Sequence, residues 1–186
     1  MILLLIIIII LVFCINKLNL FDDTVEVYYE GFNYRVRDGN MNTAKKLHEL
    51  RAKLIKLVDH CVINLPDKTS ANRLAKRFFT MGFNETSSTD SSAAYVVNKQ
   101  ELRLCLKGKE NDTMFVLLHE LAHVMSGTYG HNEEFKDNMK ILVKEAVKLG
   151  IYQPTDYTKT PVDYCGVTIT STPCHNNQCL FGKALT

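Results

Sequence analysis

The chain has 186 residues, with 22 lysines and arginines against 20 aspartates and glutamates and a formal net charge of +2. Apolar residues make up 46% and charged residues 23%, which excludes a disordered chain; four prolines, nine glycines and the lack of any repeat exclude collagen-like and solenoid architectures. A charge so close to neutral offers no broad basic field, which argues against nucleic acid as the main partner.

Residues 1–20 open with MILLLIIIIILVFCI, where the first polar residue after the initiator is Asn16 and the first charge is Lys17. The run predicts an uncleaved N-terminal transmembrane helix acting as a single-pass anchor, extended by Leu18, Leu20 and Phe21, with Lys17 snorkelling to the interface. A cleaved signal peptide is disfavoured by the missing basic n-region and small-residue cleavage site. Lys17, Arg35 and Arg37 lean towards a cytoplasmic C-terminal domain. Two sequons, at Asn84 and Asn111, are usable only in a secretory lumen.

Residues 21–65 form the next unit. Val25 to Arg37 is β-rich with rough alternation and predicts a strand or hairpin. Thr43 is a plausible N-cap for a helix reaching about Asn64, with an apolar seam of Leu47, Leu50, Leu54, Leu57, Val58 and Cys61 at helical spacing. His48 and His60 on this helix are read as surface or satisfied residues. Residues 66–150 follow the break at Pro66. A helix is expected from Lys68 to about Thr80, a polar loop over Ser87–Ser92, and two strands at 94–97 and 102–106. A further helix over 114–125 is capped from Asn111-Asp112-Thr113, and a last one is capped by Asn132 and closed by Gly150. Residues 151–186 read as an irregular, cysteine-containing tail with one strand at 167–170. This order predicts an α+β domain with helices packed on a small sheet.

Cys14 lies in the apolar run, as a small hydrophobe or acylation site. Cys61 and Cys105 read as buried free thiols. Cys165, Cys174 and Cys179 admit one disulfide with a thiol left over, or a metal site with His175, although their spacing matches no zinc finger. Five cysteines outside the apolar run, an odd number, lean towards a reducing compartment.

The sharpest signal is His119-Glu120-Leu121-Ala122-His123. Histidines four apart share one helical face and can turn toward a single ion, while Glu120 is placed to act as general base on a metal-activated water. Such a pentapeptide arises by chance about once in a hundred chains of this composition, and here it falls on a predicted amphipathic helix. His131, after Gly127 and Gly130, is the expected third ligand; Glu133 or Glu134 are the alternatives. Tyr129 and Tyr152 are candidates for stabilising an oxyanion, each also readable as a packing residue.

His-Glu-Leu-Ala-His followed by Gly130, His131 and Phe135 resembles the WLM/SprT-like minimal zinc metallopeptidases, over about residues 66–150. The resemblance implies a zincin-like fold, one catalytic zinc ion held by His119, His123 and His131, Glu120 as general base, and a protein or peptide substrate. The gap from His123 to His131 is closer to SprT-like than to typical WLM sequences. The extensions of members that act on DNA–protein crosslinks are not visible here.

Three functions follow: a membrane-anchored zinc endopeptidase, a zinc-stabilised non-catalytic tethering module, and a DNA-associated peptidase. Glu120 separates the first from the second, since a structural site has no use for a base and closes with four ligands. The near-neutral charge separates the first from the third.

Overall fold

The computed structural model describes residues 5–6 and 22–173. Strands β1 (Thr24–Tyr29) and β2 (Phe32–Arg37) pair antiparallel, in register from Thr24 opposite Arg37 to Tyr29 opposite Phe32. The two-residue turn between them, Glu30–Gly31, has positive φ at both positions, the geometry that matches strand twist in a tight hairpin. Helix α1 (Met41–Asn64) follows. Its cap is Asn40, whose side chain accepts from the Asn42 amide, three residues ahead of the Thr43 expected from sequence. The predicted seam is buried, and Arg51 joins it by stacking its guanidinium 4.3 Å from the centre of the Phe32 ring.

Helix α2 (Lys68–Phe78) is capped by Asp67, which accepts from the Thr69 and Ser70 amides. Strands β3 (Gly82–Glu85), β4 (Ala94–Val97) and β5 (Glu101–Leu104) form a sheet in the order β3-β5-β4, with β3 parallel and β4 antiparallel to β5. Within this sheet β4 is an edge strand. On the opposite side β2 approaches β3, and its amides are met by side chains. Arg35 N donates to Asn84 Oδ1 at 2.8 Å, and Arg37 N donates to Glu85 Oε2 at 2.8 Å. This explains why β3 escaped the sequence reading: its buried Asn84 and Glu85 look like loop residues until their partners are known.

Helix α3 (Glu110–Met125) begins before the expected Asn111-Asp112-Thr113 cap and has no side-chain cap. Those residues have other partners: Asn111 exchanges hydrogen bonds with the Gln153 backbone, and Asp112 accepts from the Tyr157 hydroxyl at 2.8 Å. Both sequon asparagines thus hold structure together. Helix α4 (Glu133–Lys148) starts at Asn132, which accepts from the Phe135 amide. It ends at Gly150, where the amides of Gly150 and Ile151 return to Val147 and Ala146 as expected.

The tail is more ordered than the sequence suggests. Strands β6 (Val162–Tyr164) and β7 (Val167–Ile169) form a hairpin, and Tyr152, Tyr157 and Tyr164 are buried. Cys105 and Cys165 form a disulfide, so Cys105 is not the free thiol expected; a bond of this kind persists in oxidising conditions, against the lean to a reducing compartment. Tyr164 donates its hydroxyl to the Cys105 carbonyl. Gly108 makes room for that ring, since a Cβ there would overlap Tyr164 Cε2 and Cδ2. Among the described residues, the buried apolar side chains from Tyr34 to Tyr164 make one core cluster.

The architecture is α+β, as expected. No transmembrane helix is part of it among the described residues. Among the described residues no helix is long and apolar enough to cross a membrane, so the single-pass anchor and the membrane localisation built on it are not supported. The apolar run suggested a span by composition alone; apart from Leu5 and Ile6 it lies outside the described residues, as do Cys174, His175 and Cys179.

Candidate metal centre

Helix α3 carries His119 and His123 on one face, and the loop to α4 returns His131 to them. His131 Nε2 lies 3.0 Å from His119 Nε2 and 3.1 Å from His123 Nε2. Three imidazole nitrogens aimed at one another cannot all be satisfied by their own protons, whereas a cation satisfies all three lone pairs. The triad forms a cluster able to hold a metal ion, with its ligand atoms within 4.8 Å of one another. Burial and the neighbouring imidazoles push His119 down to about 4; burial, His131 and Lys99 do the same for His123. Both rings are therefore neutral at physiological pH, the form that binds metal.

Phe135 lies beneath all three rings, with centroids 4.8 Å from His119, 4.3 Å from His123 and 4.6 Å from His131. Gly130, at φ +80°, supplies the left-handed residue that turns the chain into His131.

The loop is held by a carboxylate. Glu134 accepts from the amides of Gly127 (2.8 Å) and Thr128 (3.2 Å) and from Thr128 Oγ1 (2.7 Å), and it pairs with Arg73 at 2.9 Å. These contacts hold Glu134 down to about 2. It is thus a brace for the loop, while Glu133 points to solvent and pairs with Lys136. His131 stands where the two glutamates were the alternatives.

Three cations surround the C-terminal carbonyls of α3. Arg73 donates to Met125 O, Arg77 to Val124 O and Ser126 O, and Lys99 to Ser126 O and Thr128 O. They satisfy carbonyls that the helix cannot and complement its negative end. Sequence reasoning missed them because they come from α2 and the β4–β5 turn, far along the chain.

Glu120 is buried, 6% exposed, and its carboxylate makes no hydrogen bond or ion pair among the described residues. Burial raises it to about 7, the range in which a carboxylate can take up and release a proton.

Two grooves flank the triad. One, of about 610 Å³, is lined by Phe115, His119, His131, Phe135, Met139 and residues 171–173, with Lys136 and Lys140 at its rim. The other, of about 210 Å³, lies beside His123 and includes Val96 of edge strand β4, Lys99 and Tyr129. Tyr129 is 77% exposed at that rim, with the Lys99 ammonium 4.8 Å from its ring centre. Tyr152 lines neither groove; it is buried against Phe115 and accepts from the Thr155 amide.

The chain is 36% identical over 93 residues to an uncharacterized protein of Acanthamoeba polyphaga mimivirus, covering 46% of this chain and 47% of that one. It is 32% identical over 80 residues to an uncharacterized protein of Invertebrate iridescent virus 6 (38% and 45%). With another from Invertebrate iridescent virus 3 the identity is 35% over 79 residues (39% and 50%). The chain spans about half the length of the curated relatives it matches. No family model matches it, and no solved structure does. The resemblance to WLM/SprT-like peptidases therefore rests on the motif residues themselves.

Proposed function

We propose that the protein is a zinc-dependent metallopeptidase in which His119, His123 and His131 hold the ion and Glu120 is the general base. The observation that carries this reading is the convergence of three Nε2 atoms beside a buried carboxylate that has no cation partner among the described residues. Nitrogen ligands ~2.0–2.1 Å from a tetrahedral zinc lie ~3.3–3.4 Å apart, close to the 3.0 and 3.1 Å spacings here. The three-histidine set leaves a coordination position for water or substrate, and the flanking grooves give a substrate access to it.

Zinc, when bound, supplies Lewis acidity that lowers the pKa of a bound water and polarises a carbonyl. Glu120 takes the proton from the attacking water and passes it to the leaving amine. Phe135 and the braced loop keep the imidazoles in place. Val96 of edge strand β4 lines the smaller groove, where an extended peptide can add as a further strand. Tyr129, on the same rim, is the better placed of the two tyrosines to approach an oxyanion.

The test is peptide cleavage by the zinc-loaded protein beside Glu120→Gln. The reading predicts cleavage by the wild type and its loss in a variant that still binds zinc. A zinc-loaded wild type that cleaves nothing across a broad peptide library contradicts it.

A further inference from the structure

We propose that the larger groove, beside His119 and His131, is a subsite for a peptide segment in which a bulky apolar residue is flanked by an acidic one. This rests on the peptidase reading and names its substrate class.

The groove is built from two rows of α4 side chains. Phe135 and Met139, four residues apart, make an apolar row, and Phe115 from α3 extends it. These three side chains are 3–6% exposed, so each presents only a small apolar edge to the groove, and they act jointly in meeting an apolar side chain. Lys136 and Lys140, also four apart, run alongside as a cationic row at the rim. Their carboxylate partners, Glu133 and Asp137, come from the same helix face at i,i+3 and are 80% and 67% exposed. Such solvated pairs hold their partners weakly and exchange readily with a carboxylate brought in by a ligand.

The opposite wall, Ser171–Thr172–Pro173, is uncharged and follows the β6–β7 hairpin, which the Cys105–Cys165 disulfide ties to the end of β5. None of the described residues lining either groove is an aspartate or glutamate, and Lys99 adds a cation beside His123. A peptide lying across the triad thus meets lysines on both sides and no acidic side chain on the walls. About 610 Å³ falls within the range of pockets that enclose a ligand.

The test uses the zinc-loaded full chain and three peptides identical except that a phenylalanine is followed by Glu, Gln or Lys. Binding is read by fluorescence anisotropy on Glu120→Gln, and kcat/KM on the wild type. The Glu peptide is expected to bind about tenfold more tightly than the Lys peptide, with the difference shrinking at high salt. Replacing its Phe by Ala is expected to weaken binding about tenfold. Lys136→Glu/Lys140→Glu, both on the exposed face, should invert the Glu-over-Lys order while keeping the wild-type circular dichroism and zinc content. Equal binding of the three peptides, or an order unchanged by the double reversal, overturns the subsite. Selective binding without any cleavage upholds the subsite and counts against the peptidase reading, so the two fail separately.

Discussion

Glu134 is the residue through which the loop geometry is most directly tested. Its carboxylate closes the 127–128 turn through two amides and a hydroxyl and ties it to Arg73. Glu134→Gln keeps the size but removes the charge and sets a donor against the Thr128 amide. Charge-assisted hydrogen bonds are each worth ~1.5–3 kcal/mol net. This side chain is 35% exposed, so solvent screening reduces that figure. A total loss of about 2 kcal/mol is expected, read from urea denaturation of the metal-free protein. His131 follows this turn, so zinc affinity in chelator competition should fall about tenfold or more. The pH dependence has a definite sign. The folded-state value is depressed from 4.5 to about 2, so the contribution is complete above about 4.5 and disappears as pH falls towards 2. Wild type should therefore lose its advantage over Glu134→Gln across that window. Unchanged zinc affinity in a destabilised variant would refute the claim that this carboxylate positions the third histidine.

Two further outcomes are expected. The Cys105–Cys165 bond closes 60 residues of chain, so its removal by paired serine substitution should cost about 2–4 kcal/mol, and equal denaturation midpoints would show that the tail contributes nothing. Glu120 is raised by burial from 4.5 to about 7, so ionising it costs folding energy as pH rises between those values. Metal-free Glu120→Gln should gain on wild type over that range, by on the order of 2–3 kcal/mol at pH 8, and a difference that stays flat with pH would show that Glu120 is solvated.

The site was more legible in the sequence than the frame around it. His119 and His123 announce a shared face by spacing alone, and Gly130, His131 and Phe135 announce the return to it. The seam of α1 and the Asn132 cap follow from local rules that need no distant partner. What remained hidden depends on such partners. Strand β3 is held by Asn84 and Glu85 meeting β2 amides, and the cations at the end of α3 come from elements 25 or more residues away. The Cys105–Cys165 pair joins an apparent core thiol to an apparent loose tail. The anchor differs in the other direction: apolar composition alone predicts a span, and no described helix has the length and apolarity to cross a membrane.

The most direct test of the account is the metal content of the purified full chain by elemental analysis, wild type beside His131→Ala. One zinc per chain is expected in the wild type, lost or markedly weakened in the variant, with both proteins folded by circular dichroism. A folded wild type that binds no zinc, or a variant that binds it as tightly, would contradict the three-histidine centre and the peptidase reading with it.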